Sequence, residues 1–274
     1  MVIIRKNERA LLYLIRYFKK INKIELVKRT FLISQASRIY DYIPYKSGPF
    51  SFQLYHDLNH LEKNGLIETD DDYVKLISDK FPEPEVGPRR AINYHISVFG
   101  EEDGETIRRY VYDNYPFYTI FSKTEKKESY VRDENGILTI GYEGRSVDDF
   151  ILNLIKNKVS ILVDVRKNPF SMKYGFSKKQ ISGYSEEIGI EYIHIPGLGI
   201  ESSKRKNLKP EDYAALFSEY EYDLINRENE LGILRKLGKD KKIALMCFEK
   251  DSNFCHRGVI GKKLHSDGFC VENV

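Results

Sequence analysis

The chain has 274 residues, 41% of them hydrophobic, enough for one large domain or two ordinary ones. Its 44 basic and 41 acidic residues leave a net charge of +3, too small to announce a polyanionic partner, and three cysteines, an odd number, argue against a disulfide framework. No apolar run approaches a membrane span and no signal-peptide pattern is present, so a cytoplasmic protein is expected.

The first elements read as helices. Leu11, Leu12, Leu14, Ile15 and Phe18 form one apolar stripe at helical spacing, and Ile24, Leu26, Val27, Phe31 and Leu32 form another. Tyr45-Lys46-Ser47-Gly48-Pro49-Phe50 is predicted to be a turn from its Ser-Gly-Pro content. The helix after it carries Leu54, Leu58 and Leu61 and stops at Asn64-Gly65. Residues 66–68 and 73–77 flank Asp70-Asp71-Asp72 as a β-hairpin. Helices that end in a helix–Gly–hairpin unit are the pattern of a winged helix-turn-helix domain. On that pattern residues 51–64 form the recognition helix, with Gln53, His56, Asn59 and Lys63 as its nucleic-acid-binding positions. Asp57 and Glu62 dilute its charge, which leaves a protein partner as the rival.

Residues 81–88, rich in proline, read as a stiff connector, and a helix is predicted over 105–114. A boundary near residue 134 then divides the chain into a mostly helical, winged-helix-like domain, 1–134, and an α/β domain, 135–274.

Beyond that boundary strands alternate with helices. Strands are predicted at 137–142, 159–165, 191–195 and 243–247. Ser146 with Asp149 and Ser177 with Gln180 have the spacing of capping boxes, and Pro210 opens a long helix. This alternation predicts a parallel sheet with flanking helices. If the strands are parallel, Glu143, Asp164, Arg166, Cys247 and Glu249 come to one edge of the sheet, with Cys255, His256 and Arg257 at the start of the following helix.

That constellation is the candidate catalytic set. Two thiols, a carboxylate, an imidazole and a guanidinium within eleven residues are hard to explain by packing alone. Asp164 and Arg166, two apart on a strand, face the same side; they form either a structural ion pair or an oriented carboxylate with an anion-binding guanidinium. Glu143 and Glu249 suit acid–base or oxocarbenium-stabilising work at a glycosidic bond. Cys255 should be the reactive thiol, since a helix amino end and nearby cations stabilise thiolate; Cys247, ending a buried strand, should be shielded and is either a catalytic group or a small core residue, and Cys270 should be a packing residue. A metal would take Cys247, Cys255 and His256 with a carboxylate or water, but their spacing lacks the paired C-x-x-C signature and no metal is expected. Lys173, Lys204, Arg205 and Lys206, with Lys178, Lys179 and Lys209 and the interleaved Tyr174, Phe176 and Tyr192, suit phosphate contact and base stacking. No P-loop or G-x-G-x-x-G motif is present, and no cofactor is named by the sequence.

Five ordered motifs carry a resemblance. Thr139-Ile140-Gly141-Tyr142-Glu143-Gly144-Arg145-Ser146, Asp164-Val165-Arg166-Lys167-Asn168-Pro169-Phe170-Ser171, Gly189-Ile190-Glu191-Tyr192, Leu198-Gly199, and Leu245-Met246-Cys247-Phe248-Glu249 with Cys255-His256-Arg257 resemble the family called domain of unknown function 488, over about residues 137–270. The resemblance implies an α/β fold and no settled activity. The amino-terminal motif running from Tyr45 to Ser51, with Asp57-Leu58, Leu61-Glu62, Gly65-Leu66-Ile67 and the stretch 112–119, is similar to the YwgA-like group, which overlaps in pattern with Panacea-type antitoxin domains. That similarity implies toxin–antitoxin or phage-defence contexts. Together these features predict an enzyme acting on nucleic acid or a nucleotide-like anion through base or nucleoside chemistry, with cysteine-dependent transfer as the rival enzyme class. The alternative is a non-catalytic, ligand-sensing regulator that binds DNA or a protein.

Overall fold

The computed structural model describes residues 3–205, 209 and 211–274, and the chain divides into two units, Met1–Tyr130 and Val131–Val274. Among the described residues no helix is long and apolar enough to cross a membrane.

The amino-terminal unit contains α1 (Lys6–Phe18), β1 (Lys20–Asn22), α2 (Lys23–Ala36), β2 (Ile43–Tyr45), β3 (Gly48–Phe50), α3 (Phe52–Lys63), β4 (Ile67–Thr69), β5 (Tyr73–Leu76), α4 (Val86–Phe99) and α5 (Gly104–Asn114). Its core joins Leu11, Leu14 and Ile15 of α1 to Leu26 and Phe31 of α2 and Leu54, Leu58 and Leu61 of α3. Ile24, expected in that stripe, is 48% exposed, because α2 begins there and its first turn stands clear of the core. Strands β4 and β5 form the expected antiparallel hairpin, and β1 adds a third strand along β5 that the sequence pattern did not reveal.

The turn expected at 45–50 is present at residues 46–47, and the two short strands that flank it as the β2–β3 hairpin were not foreseen. Gly48 takes φ +84° there, and a Cβ on it would come within 2.8 Å of the Tyr112 ring. Helix α4 starts inside the expected proline-rich connector. Pro88 sits in its first turn, where the missing N–H would have no helical partner in any case. Arg29, fully buried, joins α2 to the end of α4, donating to Glu25 Oε1 and to the Phe99 and Glu102 carbonyls.

Lys28 is also buried, its ammonium donating to the Pro49 carbonyl at 3.1 Å. Burial, and then the Arg108 charge, lower its pKa from 10.5 to about 7. Between those values the unfolded chain holds a proton that the folded chain does not, so stability gains from Lys28 as pH rises through the window. Lys28→Met should flatten that part of the stability profile. Urea unfolding of both proteins across the window checks this, and an identical slope in the variant would contradict it.

The carboxyl-terminal unit is mixed α/β. Its elements are β6 (Gly136–Gly141), α6 (Val147–Lys156), β7 (Ile161–Asp164), α7 (Lys178–Glu187), β8 (Glu191–His194), α8 (Asp212–Leu224), α9 (Glu228–Asp240), β9 (Lys242–Cys247), α10 (His256–Ser266) and β10 (Val271–Asn273). The sheet runs β10-β6-β9-β7-β8, and every pairing is parallel. Near-continuous apolar runs such as Ile161-Leu162-Val163 and Ile243-Ala244-Leu245-Met246 suit strands covered on both faces. The edge strand β10 and helix α9 were not foreseen. Pro210, the expected helix start, lies outside the described residues.

Ser146 caps α6 as its spacing suggests, accepting the Asp149 N–H at 3.0 Å. Ser177 does not cap in that way: its hydroxyl donates to the Gln180 side chain at 2.8 Å. Connections leave β6 and β7 toward the β8 edge of the sheet and leave β8 and β9 toward the β10 edge. A reversal of this kind marks the place beyond the carboxyl ends of the central strands where open α/β sheets bind ligands.

Candidate active site

Register places the reactive groups. Gly141 lies opposite Cys247, and Asp164 lies between Met246 and His194. The ladder continues past the strands through the Glu143 N–H to the Phe248 carbonyl at 2.8 Å. The segments after β6, β9 and β7 therefore leave from one edge. Alternation then assigns faces. Ile161, Val163 and Val165 of β7 and its extension join Ile243, Leu245 and Cys247 of β9 in a core with α8, α9 and α10. Asp164 and Arg166 point to the opposite face. The eight predicted catalytic residues thus share an edge, where all but Glu143 fall into two groups.

The Asp164–Arg166 group is closed on itself. Arg166 donates through Nε and Nη2 to both Asp164 oxygens at 2.8 and 2.6 Å, and through Nη1 to the Tyr142 hydroxyl and the Phe176 carbonyl. Tyr192 donates its hydroxyl to the same carboxylate at 2.7 Å, and burial followed by that negative charge pushes its pKa upward. Both charged side chains are buried. The geometry is that of a bidentate ion pair tying the β7 and β8 ends to the loop that contains Phe176. Phe176, expected as a stacking platform, is itself buried and stacked on Tyr142 at 4.3 Å.

The second group lies on the α10 face. Cys247 is the last residue of β9, and Cys255 is the N-cap of α10. His256 Nδ1 lies 3.8 Å from Cys247 Sγ and 4.0 Å from Cys255 Sγ, and its Nε2 lies 3.1 Å from the Val165 carbonyl. Glu249 Oε2 accepts from Cys247 Sγ at 3.4 Å. The Tyr220 ring stands edge-on to the imidazole, 5.7 Å between centroids. Arg257 is buried and grips the chain: it donates to the Glu249 carbonyl and, at 2.8 Å, to the Lys250 carbonyl. It shapes the loop between the thiols.

The two thiols shift in opposite directions. Burial opposes ionisation of Cys255, but hydrogen bonding with Cys247 and His256, then the charges of His256 and Arg257, bring its pKa well below the usual thiol range. Cys247, donating to Cys255 and desolvated, is pushed up. Burial, then the neighbouring Cys255, raises Glu249. Cys255 is the more acidic thiol, as expected, yet only 2% exposed, whereas Cys270 is exposed rather than packed. Access therefore opposes the intrinsic order of reactivity. Among the described residues, Cys247, Cys255 and His256 place their ligand atoms within 4.8 Å of one another, a set able to hold a metal ion.

The remaining site residues scatter. Glu143 is exposed and accepts the Lys250 N–H at 3.0 Å, tying the loop after β6 to the loop after β9. Lys173 is half-buried on the Tyr142 carbonyl at 2.9 Å. Lys204 is exposed and paired with Glu219. Only the backbone of Arg205 is described, and Lys206 lies outside the described residues. On α3, Gln53 donates to Asp57 at 2.8 Å, His56 is half-buried, and Asn59 and Lys63 are exposed.

Sequence reasoning missed several participants. Tyr142 and Tyr220 buttress the two groups; Tyr142 lies in the first quoted motif with no role assigned to it, and Tyr220 lies outside all five. The loops leaving β7 and β9 also expose Phe170 (70%), Met172 (95%), Phe248 (42%) and Phe254 (53%). Behind Tyr220 lies a cavity of about 120 Å³ bounded by Lys167, Gly199, Leu216 and Arg227.

No curated protein matches the chain. A family model described as Domain of unknown function DUF488 matches residues 146–264, from the N-cap of α6 to the last turn of α10, and so takes in both thiols of the cluster, Glu249 and the Asp164–Arg166 pair. Over that span the carboxyl-terminal unit is similar to the DUF488 family.

Proposed function

We propose that the carboxyl-terminal unit is an enzyme that processes a nucleotide or nucleic-acid substrate, with Cys247, Glu249, Cys255 and His256 as its reacting centre. The observation that carries this reading is their convergence at the carboxyl edge of a parallel sheet, at the point where the direction of the chain connections reverses. The exposed Phe170, Phe248 and Phe254 supply faces on which a base can stack, and Lys167, Lys173 and Lys250 of the same loops supply cations for phosphate. Glu249, against the Cys247 sulfur, is the group placed for acid–base work in base or nucleoside chemistry. Asp164 and Arg166 hold the strand ends in position and stay out of the chemistry. In the amino-terminal unit we read the exposed Asn59 and Lys63 of α3 as contacts to duplex.

One observation favours a regulator: the thiols and imidazole are almost wholly buried, which suits sensing better than turnover. Incubating the full chain with nucleosides, nucleotides and short single and double strands separates the two. The enzyme reading expects a product visible by mass spectrometry and lost in Glu249→Gln. Retention of a strand or nucleotide with no consumption would instead identify a regulator, and neither binding nor product would reject both.

A further inference from the structure

We infer that Cys247, Cys255 and His256 are three ligands of one tetrahedral divalent ion of the zinc class, with Glu249 or a water completing the site. This deepens the proposed reacting centre and rests on that reading for its role, although not for its existence. Tetrahedral bonds of about 2.3 Å to sulfur and 2.0–2.1 Å to nitrogen put neighbouring ligand atoms roughly 3.5–3.8 Å apart. His256 Nδ1 stands 3.8 and 4.0 Å from the two sulfurs, and all three atoms lie within 4.8 Å of one another. A slight closing of the cluster would bring all three onto one ion.

The orientation of His256 points the same way. Its Nε2 faces the Val165 carbonyl at 3.1 Å, an acceptor that fixes the proton on that nitrogen. With the ring neutral, as a metal ligand must be, the Nδ1 lone pair faces the sulfurs, the arrangement in which a backbone carbonyl orients a metal-bound imidazole. A base serving one nucleophile would sit closer to that sulfur than to the other. Here Nδ1 is nearly equidistant from two, as a third ligand is.

Burial separates the alternatives further. Cys247, Cys255 and His256 are 1%, 2% and 2% exposed, which bars a nucleophilic thiol from a large substrate but suits ligands of an enclosed ion. Arg257, gripping the Glu249 and Lys250 carbonyls, closes the loop between the cysteines and presents Glu249 to the Cys247 sulfur. Binding displaces the protons that the thiols carry, so uptake releases acid. An ion held by three protein ligands and an exchangeable fourth polarises a substrate oxygen or activates water.

Cobalt(II) is the probe. The full chain, stripped with chelator under reducing conditions, is titrated with Co²⁺. The expected result is a thiolate-to-cobalt charge-transfer band and tetrahedral visible bands that saturate at a single equivalent, with both displaced by Zn²⁺. Cys247→Ser and Cys255→Ser should lose the charge-transfer intensity stepwise, whereas Cys270→Ser should keep it. The wild-type titration decides by itself if a variant fails to fold: absence of a thiolate band overturns the inference. So does a band that survives both serine substitutions. A loaded chain without turnover counts against the enzyme reading alone. Turnover that chelator leaves unchanged, with no cobalt band, counts against the metal alone.

Discussion

Asp164→Ala should destabilise the carboxyl-terminal unit by about 3–5 kcal/mol, the range for removing one partner of a buried ion pair. The cause is less the lost attraction than what remains. Arg166 is 5% exposed and would retain its charge with two of its hydrogen bonds gone, and the Tyr192 hydroxyl would lose its acceptor. Arg166→Met leaves Asp164 buried without its partner, but a carboxyl can take up a proton where a guanidinium cannot lose one, and methionine fills similar space, so it should cost less than Asp164→Ala even though it breaks the same pair. Urea unfolding of both variants checks the order. A loss under about 1 kcal/mol for Asp164→Ala, the value of a solvated pair, would contradict the buried-pair assignment.

Gly141→Ala should disturb the cluster without touching any of its reactive atoms. A Cβ at residue 141 would run into the Glu249 carbonyl, lying 2.7 Å from its carbon and 3.0 Å from Lys250 Cα. These are backbone atoms, held in place by Arg257, so no flexible side chain can yield. Overpacking of this kind costs roughly 1–3 kcal/mol. The loop between the cysteines must shift, and cobalt binding should weaken with it. Gly183→Ala is the matched control: it lies inside α7 with nothing near its added methyl, and should be neutral or stabilising by up to about 1 kcal/mol. Equal effects of the two substitutions would show that the contact behind Gly141 does not govern the site.

How much of this was legible before the structure differs between the two units. Apolar runs at 137–142, 159–165 and 243–247 with helical spacings between them were enough to specify a parallel α/β arrangement, because strands buried on both faces and amphipathic crossover helices leave different periodicities. The third strand β1, only three residues long, left no such trace, and neither did the edge strand β10. Pro88 led to a connector where α4 stands, since proline weighs against helix everywhere except the first turn.

At the site, residue types and chain order were sufficient to bring eight reactive groups to one sheet edge, because every parallel strand ends on the same side. They could not divide those groups between faces. That division depends on the phase of each strand and on the register of β7 against β9, which sets Val165 and Cys247 on the α10 face and Asp164 and Arg166 on the other. Nor could spacing reveal that His256 Nδ1 falls between two sulfurs. The loop geometry imposed by Arg257 and the Val165 carbonyl decide it, and both act through contacts between strands far apart in sequence. Sequence alone determined which chemical groups reach the edge of this sheet. Only the tertiary structure decided which of them meet, because side-chain direction is settled by register and by hydrogen bonds to backbone, and neither is encoded in local periodicity.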